Sequence, residues 1–598
     1  MCGIAGYLAG RDAAPLPLEP MLRALRHRGP DATGWRRLGA SCLGATRLAL
    51  VGGESGDQPH DQGRALLVLN GEIYNHDEWG GDCPSDTATL NRLLETEGTA
   101  ALDRVRGPFA LARLDEGGHR LILARDRWGQ RPLYVAEQGG RFLFSSELRP
   151  LIVGGLVPET DEESLACLLS YQFLPPDRSL LRRVSKVPPG EVWVIRRIGA
   201  GFRIDRSRLR LPRVRPEVLG REFDVSLDLQ RPRNHKSAVF LSGGLDSTVV
   251  TMGLMRQGGS PDSAIVGRFP DLPEADESSH AARVADLAGV PLHVESLSAE
   301  IWREAFEGAM GALEEPMAGP GSVSSFVLAS RVAKAGTRIV FTGQGGDEIF
   351  GGYERLRILQ DLLDGRHPLR DPAYARLVLA MKGAFGPEDR LAPYRCALRR
   401  GEAARRHLAE RGASLLRHVN PLDTRLSATA SPAEALHRAE SFELDVLLPG
   451  LLQVDDRIIA SFGMESRAPF LDPRVSAAAL AVPLGARSPS HRPRRLFRDT
   501  FRRDLPGPIA ARRRKLGFPV PLARWWRGPL REWVTDTLRS RAFRDHGYLR
   551  QGVLQALLRD DGQAGRSVFF WLALDAWHRR VASWAGESSR LRAGESVS

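Results

Sequence analysis

At 598 residues the chain is several times longer than the ~100–200 residues of one domain, so at least two cores are expected. Its 42% apolar and 26% charged residues are those of a globular protein, and no apolar run approaches the roughly 18 residues of a membrane span; wholly disordered and membrane-spanning readings are excluded. The net charge of +12 raises a polyanionic partner, but five of the 84 basic residues are lysine and the basic clusters lack the interleaved aromatics of an RNA-reading sheet, so no nucleic acid partner is expected.

Cys2, Cys42, Cys83, Cys167 and Cys396 form no CxxC pair and no disulfide framework, which suits a reducing compartment. Met1 to Gly10 carries no positive charge ahead of its short apolar stretch, unlike a secretory signal, and a cytoplasmic location is expected. In chain order, residues 2–198 are rich in short β-like runs such as Ala65 to Leu69, Leu121 to Ala124 and Phe142 to Ser145. The Arg- and Pro-rich stretch 199–234 reads as a linker. From 235 to 584, apolar runs (Ala238 to Leu241, Ala264 to Val266, Arg338 to Phe341) alternate with helical stretches, the pattern of a doubly wound parallel sheet, and helices dominate from about Pro372. The polar end, 585–598, is expected to be a frayed tail.

Cys2 follows the initiator Met1, and removal of Met1 leaves a thiol and a free α-amine on one residue, a nucleophile carrying its own base. The run Cys2-Gly3-Ile4-Ala5-Gly6 is followed by Arg26-His27-Arg28-Gly29-Pro30-Asp31, by Leu69-Asn70-Gly71-Glu72-Ile73-Tyr74-Asn75 and by Ser85-Asp86-Thr87. Together these resemble the class II glutamine amidotransferase domain, an N-terminal nucleophile hydrolase with an αββα sandwich. The resemblance implies that Cys2 attacks the glutamine side-chain amide and that Asn70 and the Gly71 N–H form the oxyanion hole. It further implies that Arg47 reads the substrate carboxylate, and Asp86 and Glu72 its ammonium.

The second chemical motif is Leu241-Ser242-Gly243-Gly244-Leu245-Asp246-Ser247, placed where a strand ends and a helix begins. Glycines that bare backbone N–H groups, a helix N-terminus and two hydroxyls make an anion site, and the absence of lysine separates it from the GxxxxGK[ST] loop. It resembles the pyrophosphate loop of ATP pyrophosphatases. Two phosphates call for Mg²⁺ on hard oxygen ligands; Asp246 is one candidate and Asp347, in Gly343-Gln344-Gly345-Gly346-Asp347, the other, with both turns facing one crevice of a parallel sheet. With Asp455-Asp456-Arg457, Gly463 to Asp472 and Arg514-Lys515-Leu516-Gly517-Phe518-Pro519, the whole resembles glutamine-hydrolysing asparagine synthetases over about residues 2–580.

The resemblance implies ATP at Leu241, Ser242, Gly243, Gly244, Asp246, Ser247, Gly343 and Gln344, Mg²⁺ at Asp246 and Asp347, and Lys515 over the activated carboxylate as a catalytic cation. It also implies a coupled reaction in which ammonia from glutamine amidates an adenylated acid, with aspartate as the expected acceptor; a homodimer is left open. Three features depart from the pattern: Gln344 in place of the usual glutamate, no aspartate near Gly319, and Asn234-His235-Lys236-Ser237 as the lead-in to the pyrophosphate loop. They keep other acceptors in view, a sugar uronic acid, a biosynthetic intermediate or a lactam-forming substrate among them. A catalytically idle binding protein fits poorly, because both sites carry their chemical groups.

Overall fold

The structure, a computed structural model, describes residues 1–80, 85–199, 201–232, 234–317, 319–367, 375–399, 408–415, 420–512, 517–550, 552–553 and 564–593. The first half holds β1 (Gly3–Ala9), β2 (Ala32–Leu38), β3 (Ser41–Arg47), β4 (His60–Asp61), β5 (Leu66–Gly71), β6 (Phe109–Asp115), β7 (Arg120–Arg125), β8 (Tyr134–Gln138), β9 (Arg141–Ser145), β10 (Val184–Lys186), β11 (Glu191–Ile198) and β12 (Gly201–Arg208). They form two antiparallel sheets, ordered β10-β8-β9-β1-β3-β2 and β12-β11-β7-β6-β5-β4.

Side-chain alternation along β5 explains how the sheets stack. Leu66 and Val68 face the first sheet and pack with Ile4, Leu43 and Phe144. Leu67 and Leu69 face the other way, onto Leu90 and Leu94 of helix Asp86–Thr96. On the far side of the first sheet, Tyr7, Ala136 and Leu143 pack with Met21, Leu151 and Leu168 of helices Glu19–Ala24, Leu148–Val153 and Glu162–Tyr171. The layers are therefore helix, sheet, sheet, helix: the αββα sandwich of the N-terminal nucleophile hydrolases.

The second half is built on β13 (Ser237–Phe240), β14 (Ser263–Arg268), β15 (Leu292–Ser296), β16 (Ile339–Phe341) and β17 (Glu465–Arg467), all parallel and ordered β15-β14-β13-β16-β17. Strand order reverses at β13, whose neighbours β14 and β16 lie on opposite sides, so the loops leaving β13 and β16 open onto one crevice at their carboxyl ends. Ala238 and Val239 are fully buried, as a strand covered on both faces requires. One face packs against helices Leu219–Leu229 and Leu245–Arg256, where Phe223, Phe470, Phe497 and Phe501 cluster with ring centroids 4.7–5.8 Å apart.

Two expectations about connecting segments change. The stretch 199–234 is not an open linker: Gly201–Arg208 pairs along its length with β11 as a charged edge strand, and Leu219–Leu229 is a helix that buries Phe223 and Leu227 in the second half's core. Only 209–215 between them lacks helix and strand. The polar end is likewise helical as far as Arg592, a continuation of the long helix Ala564–Arg592, and 594–598 lie outside the described residues. Among the described residues no helix is long and apolar enough to cross a membrane.

The halves meet across a seam of buried charge. Arg28, wholly buried, donates to the Cys2 carbonyl (3.0 Å), to Glu147 (2.9 Å) and, across the seam, to Asp456 (2.8 Å). Arg457 crosses back to Glu147 (2.8 Å), and also pairs with Glu314 (3.0 Å). Its guanidinium and Arg28's hold the Glu147 carboxyl well below its ordinary range, together with His27, whose charge is the largest favourable influence against burial. Glu314 itself caps Leu148 N (2.6 Å) and Arg149 N (3.0 Å), and Glu315 takes Lys186 Nζ (2.8 Å), Tyr134 Oη (3.0 Å) and Leu180 N (2.9 Å).

Removing one member of such a network strands a buried charge, at a cost of about 3–5 kcal/mol. Arg28→Ala should therefore lower the urea midpoint of unfolding markedly, whereas Arg541→Ala, which breaks an ion pair on the surface, should leave it unchanged. Equal midpoints for Arg28→Ala and the unmodified chain would contradict this account of the seam.

Candidate active sites

A small cavity of about 30 Å³ is lined by Cys2, Arg47, Gly71, Glu72 and Asp86, with Met1, Leu48, Val51, Gln58, Thr87 and Glu465 completing its wall. Five residues expected at the glutamine site thus come together from β1, the β3 end, the β5 end and the start of helix Asp86–Thr96. Cys2 is buried, and burial pushes its thiol up while the neighbouring α-ammonium pulls it down. The α-ammonium itself, on Met1, is driven down to about 5 by burial.

Asn70 lies at the end of β5, fully buried, and neither its Nδ2 nor its Oδ1 has a hydrogen-bond partner. Leaving an amide unpaired costs about 1–3 kcal/mol, and a buried amide kept unpaired beside a nucleophile is what an oxyanion donor requires. Gly71 next to it adopts φ +138°, and a side chain there would stand 1.9 Å from the Pro108 carbonyl oxygen. Only glycine lets the backbone turn into the cavity at this point.

The groups expected to read the substrate ends are held differently. Arg47 donates to Asp57 (2.8 Å) and to the Val51 carbonyl (2.8 Å), leaving its planar fork at the cavity wall. Asp86 opens its helix behind the Ser85 cap and accepts from Ile73 N (3.1 Å) and Thr87 N (2.7 Å); burial nevertheless raises its carboxyl above the usual range. Glu72 faces the cavity, but its carboxylate is bonded to Arg467 of the second half at 2.6 Å. Neither Arg467 nor Glu465 was expected at this site, although their motif, Gly463 to Asp472, had been singled out.

At the second site, Ser242 to Gly244 turn from β13 into helix Leu245–Arg256. Ser242 Oγ and Ser247 Oγ lie 3.2 Å apart and Ser242 Oγ accepts from Gly244 N at 3.3 Å, while Arg512 donates to the Gly243 carbonyl (2.6 Å) and pairs with Glu277, pinning the turn from outside. The turn after β16 packs directly against it: a side chain on Gly343 would meet Asp246 Cβ at 2.7 Å. Leu241 is buried beneath, and Gln344 is half-buried between Gly343 and Gly345. Lys515 lies outside the described residues.

Asp246 and Asp347 are brought together, as expected, and one cation already spans them. Arg494 Nη1 stands 2.9 Å from Asp246 Oδ2 and 3.4 Å from Asp347 Oδ1, and Nη2 bonds Asp246 and the Gly346 carbonyl (3.1 Å). The two carboxylates are hard oxygen donors that face a shared positive charge, so their chemistry fits Mg²⁺. Among the described residues no group of three or more His, Cys, Asp or Glu could hold a metal, so phosphate oxygens and water would have to complete the shell. Sequence reasoning had no signal for Arg494 within so arginine-rich a chain.

A sandwich that buries Cys2 beside the amino terminus, with an unpaired amide at Asn70, has the make-up of an N-terminal nucleophile amidotransferase, joined here to a parallel sheet with a glycine-rich turn. Residues 1–203 match the family model described as Glutamine amidotransferase domain, and residues 222–579 match that described as Asparagine synthase. The chain belongs to the asparagine synthase family, glutamine-hydrolysing ligases that use ATP. It is similar to asparagine synthetase [glutamine-hydrolyzing] 1 of Bacillus subtilis, at 26% identity over 97% of this chain and 96% of that one. It is also similar to a putative asparagine synthetase [glutamine-hydrolyzing] of Mycobacterium tuberculosis, at 27% identity with 90% and 91% covered, and to amidase chry2 of Gibberella zeae, at 30% identity over 60% of each chain.

Two outcomes follow from this geometry. Asn70→Ala should lower kcat for glutamine hydrolysis by about 10²–10³ with little change in KM, the loss of one oxyanion donor, checked by steady-state ammonia release. Arg494→Met should expose both carboxylates to metal, so that Mn²⁺ followed by electron paramagnetic resonance binds at least tenfold more tightly, without nucleotide, than it does to the unmodified chain.

Proposed function

We propose that the chain makes an amide from glutamine nitrogen and a carboxylic acid, hydrolysing glutamine at Cys2 and activating the acid with ATP at the second site, with aspartate as the acceptor. The observation that carries this reading is the single cavity holding Cys2, Arg47, Gly71, Glu72 and Asp86 beside unpaired Asn70. After loss of Met1, the Cys2 α-amine takes the thiol proton, the thiolate attacks the side-chain amide carbon, and Asn70 Nδ2 with Gly71 N–H receives the oxyanion. Ammonia leaves with a proton from the amine, and water releases glutamate from the thioester.

At the second site, backbone N–H groups of Ser242 to Ser247 and the helix N-terminus hold ATP phosphates. Asp246 and Asp347 would hold Mg²⁺, which neutralises phosphate charge when bound. The acid's carboxylate attacks the α-phosphorus, pyrophosphate leaves, and ammonia displaces AMP from the mixed anhydride. Lys515, by family resemblance, would balance charge on that carboxylate.

A second reading concerns the acid alone. Gln344 is neutral, and three acids of the second half are already engaged: Glu314 and Glu315 by the seam, and Glu348, pushed up to about 7 by burial, by the Tyr353 hydroxyl. An aspartate α-ammonium then lacks a ready countercharge, which favours an acid without an ammonium at that position.

Glutamine-dependent pyrophosphate release, measured with aspartate and with a panel of other acids and followed by product mass, separates these. Release that saturates with aspartate and yields asparagine supports the first reading, and release only with another acid the second. No acid-dependent release with any member would overturn both. Cys2→Ala should abolish glutamine hydrolysis while amide formation from added ammonium salts continues, whereas Asp246→Asn or Asp347→Asn should abolish acid-dependent exchange of pyrophosphate into ATP and spare glutamine hydrolysis.

A further inference from the structure

The glutaminase cavity is not made by the amidotransferase half alone. Glu465, first residue of β17 and 2% exposed, lines it alongside Cys2, and the preceding carbonyl, Met464 O, accepts from the buried amino terminus at 3.4 Å. Glu465 is fixed in place by Arg467 Nε at 3.3 Å and faces Arg131 at 3.9 Å. Arg467 in turn reaches Glu72 in the cavity wall. The other end of the same three-residue strand touches the second site, since Thr342 N, one residue ahead of Gly343, donates to the Arg467 carbonyl at 2.9 Å.

Several charged groups face the amino terminus. Glu465 is the acid with the largest influence on it; Cys2 adds to the same effect, and Arg131 and Arg28 oppose it. Around Glu465 stand Arg467, Arg131, Glu72 and the amino terminus, and the positive charges hold its carboxyl down to about 2, so it stays ionised wherever the enzyme works. A fixed negative charge inside a buried cavity favours the ammonium over the amine and the thiol over the thiolate. The Cys2 thiol therefore feels Glu465, as does the amino terminus that Met1 carries one residue ahead of it.

We propose that Glu465, a residue of the synthetase half, is a positioning residue of the glutaminase, holding the amino-terminal nucleophile by charge from across the seam. This rests on Cys2 being the nucleophile. It makes the glutamine site incomplete without β17, and it joins that site through three residues of backbone to the turn that carries Gln344 and Asp347. A change at the nucleotide turn has a direct hydrogen-bonded route, Thr342 to Arg467 to Glu465, into the cavity.

The test is the pH profile of kcat/KM for glutamine hydrolysis, measured without ATP or acceptor acid. Removing the negative charge lowers the proton affinity of amine and thiol together, so Glu465→Gln should move the whole profile to lower pH by about one unit, with KM within threefold. Glu465→Asp keeps the charge but draws it back by one methylene, and should move the profile the same way by less. If Glu465→Gln is not recovered folded, Glu465→Asp carries the test by itself.

Profiles that superimpose on that of the unmodified enzyme, or a rise in KM alone with no shift along the pH axis, would overturn the proposal. A purely structural role would lower kcat at every pH without moving the limbs. Absence of hydrolysis by the unmodified enzyme, or its survival in Cys2→Ala, would instead remove the reading of Cys2 on which the proposal rests.

Discussion

The structure depends on one constraint: charges buried between the two halves must all be paired. Arg28, Glu147, Asp456, Arg457 and Glu314 pair with one another across the seam. Such a network gains little over apolar packing, but it is intolerant of misalignment, because any slip leaves a charge unpaired in a dry interior. Arg28 also holds the Cys2 carbonyl, so the same network that registers the halves fixes the residue after the amino terminus. Placement of Cys2 and docking of the two halves are thereby one problem with one solution.

The constraint also bears on acceptor choice. Glu314 and Glu315 precede Gly319, near which the resembled family carries an aspartate, and the seam consumes both: one caps helix Leu148–Val153 and pairs with Arg457, the other balances buried Lys186. At the nucleotide turns a single cation serves, Arg494 lying between Asp246 and Asp347. Its guanidinium lets the two carboxylates sit close together.

Much of this was legible in the sequence where chemistry demands particular residues at contiguous spacing. Cys2, Asn70-Gly71-Glu72 and Asp86 stand in short motifs, and the cavity gathers all but Asn70 at its wall. The Ser242 to Ser247 and Gly343 to Asp347 turns were readable because close backbone approach calls for glycine, and a side chain on Gly343 would strike Asp246. Three strands of the parallel sheet, β13, β14 and β16, matched their apolar runs to within a residue or two.

What escaped reading was long-range pairing. Arg494 meets Asp246 across 248 positions and Arg467 meets Glu72 across 395, and in a chain with so many arginines neither stands out. Edge strand Gly201–Arg208 looked like a linker because charges on both faces, which protect an exposed edge, erase the alternation that marks a strand. The polar end looked frayed because its helix continues that of the buried Val568 to Trp577 stretch rather than packing an apolar face of its own.

The central claim is that a thiol at the amino terminus, held in a cavity shared by both halves, takes glutamine as its substrate. Incubation with a diazoketone analogue of glutamine, followed by peptide mass spectrometry, tests it most directly. The account predicts one adduct, on Cys2 of a chain lacking Met1, prevented by excess glutamine. An adduct on Cys42, Cys167 or Cys396, or no adduct at all on the folded protein, would contradict it.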